Sequence, residues 1–210
     1  MKKSVIFACT AVIAVMSAPA TADMLGAKVG IDYVYSDLKV DGSTVNKHQD
    51  NMHAYAAFEH FIPLVPNGLV EYSTYGTSAV GFDRFAATAY YQLLDNDLVA
   101  LDFGAGISRY SDIEVNTKLD GQNTPHAYVA GEVMLPLTNL SLFADAKAFG
   151  LQDVKGEEAR LGVRWALDLP IELGARVGYS MTNLTFDNAL AGKDVKFESA
   201  GWMLGVDARF

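Results

Sequence analysis

Four histidines, His48, His53, His60 and His126, are the ordinary acid–base groups of this chain, and they lie among scattered hydroxyls and carboxylates. An Asp–His pair can activate water against a peptide bond, and a Ser–His pair can attack an ester. His53 and His126, with Asp50 or Ser111 near them in the sequence, are the candidates for such a pair. Their spacing fixes no nucleophile–base geometry, and polar lining explains them more simply, so the chain is read as a non-enzyme. Gly104-Ala105-Gly106 lacks the third glycine of a nucleotide fingerprint, and Gly192-Lys193 lacks the rest of a phosphate-binding loop. Asp112, Glu114 and Asp120 do not have the spacing of a calcium loop. The lone cysteine, Cys9, precedes most of an N-terminal apolar core, so neither a thiol mechanism nor a disulfide framework is expected. No metal or cofactor is assigned.

The elements that must position any chemistry alternate with a period of two. Residues 24–36 place Leu25, Ala27, Val29, Ile31, Tyr33 and Tyr35 on one face and Lys28, Gly30, Asp32 and Ser36 on the other. Similar segments follow at about 51–61, 68–76, 82–94, 98–110, 125–135, 140–149, 157–167, 171–182 and 197–210. Each is long enough to cross a bilayer at a tilt. The connections alternate: DLKVDGSTVNKHQD, GTSAVGF, SDIEVNTKLDGQNT, GLQDVKG and the stretch 183–196 are long, whereas LDND, PLTN and DLP are tight. Pro63, Pro66, Pro136 and Pro170 fall in turns, and Pro125 opens a strand. The expected fold is all-β, a transmembrane up-and-down antiparallel barrel of about ten strands, with eight as the alternative.

Alternation alone does not say which face points outward. Glycines decide it, because Gly26, Gly30, Gly104, Gly106, Gly162, Gly174, Gly178, Gly201 and Gly205 share the polar face. A solvated strand surface gains nothing from them, whereas a narrow lumen needs the room. The charges predicted to line that lumen are Lys28, Arg84, Lys147, Arg160, Arg164, Arg176 and Arg209, with Asp32, Glu59, Glu71, Asp102, Glu132, Asp145, Glu158, Glu172 and Asp207. Buried charges must pair or be hydrated. They therefore form either a salt-bridged plug or a narrow pore, with Arg160, Arg164 and Arg176 the expected constriction.

Both ends of the chain carry signals. Lys2 and Lys3, the apolar stretch SVIFACTAVIAVM and Ala20-Thr21-Ala22 predict a signal peptide over 1–22, cleaved between Ala22 and Asp23, with one domain over 23–210. A membrane anchor is the rival reading, but an apolar core of about 13 residues is short of the roughly 20 that a spanning helix needs. The C-terminal stretch WMLGVDARF puts Trp202, Leu204, Val206, Ala208 and Phe210 on one face. That pattern is similar to the terminal strand by which barrel assembly machinery recognises outer-membrane proteins. The whole chain carries 16 basic against 25 acidic residues, a net charge of −9, which argues against nucleic acid as a partner.

The segments AYAAFEHFIPLVPNGLVEYS and YYQLLDNDLVALDFGAGISRY and the ending GVDARF resemble a family of small proteobacterial outer-membrane β-barrel proteins, defined by sequence and without an established activity. The resemblance covers most of the mature chain and is strongest around Pro63–Gly68 and Leu94–Leu98. It implies location and fold and carries no catalytic residues. The expectation is a monomer in the Gram-negative outer membrane, in contact with lipid and lipopolysaccharide, acting as a structural or narrow low-conductance, porin-like element. A rim-active enzyme on lipid or peptide, and a soluble periplasmic ligand-binding barrel, are the alternatives.

Overall fold

A computed structural model describes residues 25–60, 62, 64–76, 80–96, 98–115, 121–150, 154–167, 169–190 and 193–210. The leader 1–22, Ala22, Asp23, Pro63, Asp120 and Gly192 fall outside the described residues. Ten strands run in order: β1 Leu25–Val40, β2 Ser43–His60, β3 Asn67–Gly76, β4 Val80–Asp95, β5 Val99–Val115, β6 Gln122–Met134, β7 Leu140–Phe149, β8 Val154–Leu167, β9 Glu172–Leu190 and β10 Lys193–Arg209. Each pairs antiparallel with the next, and β10 pairs with β1 from Lys28↔Arg209 to Val40↔Phe197, closing the barrel. Ten strands are present, so the eight-strand alternative is excluded. Pro125 lies inside β6 rather than at its start, where pairing with β7 begins only at His126.

The long connections expected at one end are largely strand. DLKVDGSTVNKHQD continues β1 and β2 around a two-residue turn, Asp41–Gly42, with Val40 opposite Ser43. Both turn residues have positive φ, 49° and 76°, the conformation that a two-residue hairpin of this twist requires and that Asp-Gly adopts readily. The stretch 183–196 similarly extends β9 and β10. The extension reflects a change of hydrophobic phase within each strand. Near the short turns the apolar face points outward: Ile31, Tyr33 and Tyr35 on β1, Leu204 and Val206 on β10, and Trp202, which is 67% exposed. Further along the same strands, apolar side chains point inward: Leu38, Val40, Phe82, Tyr110, Ile113, Phe149, Val154, Leu184, Phe186, Val195 and Phe197 form one buried cluster.

At the same level the outer face turns polar, with Asp37 after Tyr35, Asp50 beyond Met52, Asp83 beyond Phe85, Arg109 beyond Ile107 and Glu198 beyond Ala200. The exposed apolar face of β1 runs from Leu25 to Tyr35. At about 3.3 Å per residue and a tilt of about 40°, this is roughly 25 Å of height.

Two local devices make the interior fit. Asp112 has φ 49°, and the β4–β5 register shifts between Gly81 and Asp83. This bulge places one extra residue on β5 and turns Ile113 inward, against the parity of the preceding strand. Glycine supplies the room farther down. A Cβ on Gly205 would sit 1.9 Å from Asp32 Oδ1, and one on Gly174 would sit 2.6 Å from both Arg164 Nε and Asp207 Oδ2. The lumen charges lie flat against glycine backbone.

Candidate functional site in the barrel lumen

The lumen is stacked in three layers. At the end away from the chain termini, Phe82 sits at the centre of an aromatic cluster. Its ring centroid is 4.7 Å from Tyr75, 5.6 Å from Tyr110, 5.5 Å from Phe186 and 5.3 Å from Phe197. These side chains line this end of the lumen with apolar surface.

Beneath it lies a polar layer centred on Glu71, whose side chain is only 1% exposed. Its carboxylate accepts from Lys147 at 2.8 Å and Arg160 at 3.0 Å, with Arg84 at 3.8 Å and His53 Nε2 at 3.2 Å. Arg84 reaches Glu158 at 3.3 Å, and Arg160 donates to Asp145 at 2.8 Å and contacts the His53 ring. Asp32 is within 2.9 Å of His53 Nδ1 and also binds Arg176, whose guanidinium lies 4.9 Å over the Tyr55 ring and 5.2 Å over Phe143. Lys147 lies 4.9 Å over the Tyr128 ring. Multiple partners of this kind are what a buried charge needs to offset its lost hydration.

The third layer opens toward the short turns and termini. Arg164 donates to Asp207 at 2.6 Å and lies 2.9 Å from Glu172; Arg209 donates to Glu132 at 2.7 Å; Lys28 donates to Glu59 at 2.7 Å. Tyr90 also donates to Glu59, at 2.8 Å. Side-chain exposure rises from 1% at Glu71 to 30% at Lys28 and 38% at Glu172, so solvent enters from this end. A cavity of about 120 Å³ occupies the layer, lined among others by Tyr55, Tyr90, Asp102, Tyr128, Glu132 and Arg209.

The charges assigned inward from alternation therefore do share the lumen, and the structure brings nearly all of them into ion pairs. Asp102 is the exception among the described residues: its Oδ1 is buried without a hydrogen-bond partner. Of the arginines expected at a constriction, Arg160 and Arg176 lie in the polar layer and Arg164 in the open layer, with the apolar cluster beyond them.

Among the described residues, His53, His60 and His126 do not come together in a rim site. His53 is committed to Asp32 and Glu71 inside the lumen, whereas Asp50 accepts the Tyr33 hydroxyl on the outer face. His126 has Thr88 Oγ1 2.9 Å from Nε2 and Ser108 Oγ 3.0 Å from Nδ1, all three buried, and its ring packs edge-on to Phe149 at 5.7 Å. Both ring nitrogens are thus occupied by hydroxyls, with no carboxylate behind them to hold a catalytic tautomer. His60 lies at a short turn, where Nδ1 accepts from the Ile62 amide. The side chain of His48 falls outside the described residues. Among those residues, no group of three or more His, Cys, Asp and Glu is placed to hold a metal ion.

On β10, Trp202, Leu204, Val206 and Ala208 share the outward face. Tyr35 lies opposite Trp202 on β1, and Tyr179 packs edge-on to it from β9 at 5.7 Å. Phe210 exchanges backbone bonds with Ala27, N to O at 2.9 Å and O from N at 3.3 Å. Alternation could not identify Thr88, Ser108 or the aromatic cluster as partners, since they come from strands distant in sequence.

No family model matches the chain, and no curated protein sequence matches it. Solved structures similar to it include Ail, the attachment invasion locus protein of Yersinia pestis, at 15% identity over 90% of this chain and 100% of that one, with a TM-score of 0.39. The β domain of the Bordetella autotransporter BrkA is 14% identical over 90% and 99%, with a TM-score of 0.45. The outer membrane protease OmpT from Escherichia coli is 10% identical over 92% and 99%, with a TM-score of 0.44. At such identities and scores the likeness adds nothing to the closed barrel that the chain's own strand pairing defines. A barrel fold decides neither for nor against an enzyme.

Proposed function

We propose that this chain is a monomeric outer-membrane β-barrel, of the small proteobacterial kind that its Pro63–Gly68 turn and its ending resemble, acting as a closed structural element. The observation that carries the reading is the phase inversion along single strands. A soluble barrel keeps its main apolar face inside throughout, whereas here that face points outward over about 25 Å and the apolar cluster inside lies beyond it. Lipid on the outside over that height, and water on the outside beyond it, give this pattern its physical cause. Lipid and lipopolysaccharide are then the surrounding partners, the leader 1–22 directs export, and barrel assembly machinery reads the strand ending at Phe210.

The apolar cluster around Phe82 favours the closed element over the narrow channel, because ions do not cross a dry aromatic layer without hydration. The test is fractionation with heat modifiability. The folded protein should be recovered with the outer membrane and migrate differently on a denaturing gel before and after boiling. Recovery in the soluble periplasm would overturn the reading in favour of a ligand-binding barrel.

A further inference from the structure

The cavity near the short turns is lined by charge that does not balance. Each lumen cation has a carboxylate of its own: Lys28 with Glu59, Arg84 with Glu158, Lys147 with Glu71, Arg160 with Asp145, Arg164 with Asp207, Arg176 with Asp32 and Arg209 with Glu132. This matching uses every lumen cation and leaves Glu172 and Asp102 over. Glu172 shares Arg164 and is 38% exposed at the mouth, where water compensates it. Asp102 stands deeper, in the wall of the cavity, with a buried oxygen that nothing donates to. Lys28 is bonded to Glu59 at 2.7 Å and makes no ion pair with Asp102.

We propose that this cavity is a binding site for a small monovalent cation of ammonium type, entering from the short-turn end, with Asp102 as its counter-ion. An uncompensated carboxylate out of bulk water is costly, and a cation drawn from solution removes the cost. The remaining wall fits such a ligand. Tyr90 packs edge-on to Tyr128 at 6.0 Å, and although Lys147 lies over one face of Tyr128, the pair lines the wall with aromatic surface of the kind that attracts ammonium groups and large alkali ions. A divalent ion would demand several free oxygen ligands, and Glu59 and Glu132 are already held by Lys28 and Arg209. The cavity, about 120 Å³ and open at its mouth, admits a methylammonium or ethanolamine. The site lies inside the closed barrel, so it is tested on purified protein independently of its cellular location.

The test is thermal unfolding of the protein folded in detergent micelles, at constant ionic strength, with methylammonium, ethanolamine or potassium chloride replacing the bulky cation N-methylglucamine. A saturable rise of a few degrees is expected. Asp102→Asn should abolish that rise, and Asp95→Asn, at the exposed end of β4, should retain it. In N-methylglucamine alone, Asp102→Asn should unfold at a higher temperature than the unaltered protein, because the uncompensated charge is gone. A rise with potassium as well as with the amines means that inorganic cations suffice, and a rise with the amines alone means an organic ligand; both support the site. Equal responses of the unaltered protein and Asp102→Asn, or no response to any of these cations, overturn it.

Discussion

Arg164 and Arg176 face each other across the β8–β9 pair, yet each is held by a carboxylate from another strand: Arg164 by Asp207 of β10 and Arg176 by Asp32 of β1. Two like charges in direct opposition would ordinarily push the strands apart. Here they diverge toward the seam where the barrel closes, since Gly30↔Asp207 and Asp32↔Gly205 are successive inward-facing rungs of the β1–β10 ladder, one outward-facing rung apart. The pairs bind both sides of the closure to the strands behind it.

Breaking one of these pairs should therefore be expensive. Arg164→Ala leaves Asp207, whose side chain is 0% exposed, facing only Arg176 and Arg209 at 3.8 Å. Loss of a buried partner costs about 3–5 kcal/mol. Denaturant unfolding of the barrel in lipid vesicles should show a loss in that range; a change well below 1 kcal/mol would mean that the lumen is a hydrated column and its pairs contribute little.

The layer proposed to close the bore is apolar, and that separates two sets of substitutions. Arg164→Ala with Arg176→Ala removes charge below the aromatic cluster, so conductance in a planar bilayer should stay near zero. Phe82→Ala with Phe186→Ala removes the centre of the cluster and should admit intermittent current. The same change should cost stability, since a buried Phe→Ala is worth about 3–5 kcal/mol. Steady porin-like conductance of the unaltered protein would contradict the closed bore.

The strands were legible because a period of two is a local property of the chain, and the inward charges followed from it directly. The extensions beyond them were not read, because Asp37, Lys39, Ser43, Thr44 and Lys47 have the composition of a loop. The missed signal is the change of parity itself: Tyr33 and Tyr35 are odd, Leu38 and Val40 even, and β9 shows the same step from Tyr179 and Met181 to Leu184 and Phe186. A phase slip with no turn between is what one strand crossing from lipid to water must show. Ion-pair partners were illegible for a different reason. Which carboxylate meets Arg176 depends on the register across β9, β10 and β1, and closure joins residues 144 positions apart.

The outward face supplies a test of the lipid band. Leu204, 65% exposed near the middle of the apolar stretch of β10, and Glu198, beyond its edge, lie on the same face of one strand. Leu204→Arg should destabilise the barrel in lipid by about 2–4 kcal/mol, the cost of a cation near the bilayer midplane, whereas Glu198→Arg should change it little. Equal tolerance of both, measured by unfolding from vesicles, would remove the membrane from the explanation of the phase inversion.

The last strand carries the assembly prediction. Phe210 ends the chain with its backbone bonded to Ala27 in both directions, so its removal deletes two bonds of the rung nearest the short turns and leaves the Ala27 amide and carbonyl open at that edge. An open edge in or near lipid is costly, because no water replaces the lost partner. Phe210→Asp keeps the backbone rung and tests the ring alone, placing a charge near the inner boundary of the band, where the cost is up to about 1 kcal/mol. That penalty is too small to unfold an assembled barrel. On the proposal that assembly machinery recognises this aromatic, both changes should nonetheless lower the amount of heat-modifiable barrel recovered from outer membranes several-fold. Lys193→Asp, at the start of β10 and far from this end, should leave recovery unchanged. If Phe210→Asp assembles as well as Lys193→Asp while deletion of Phe210 does not, the terminal residue acts through its backbone rung, and the ring is not the recognised feature.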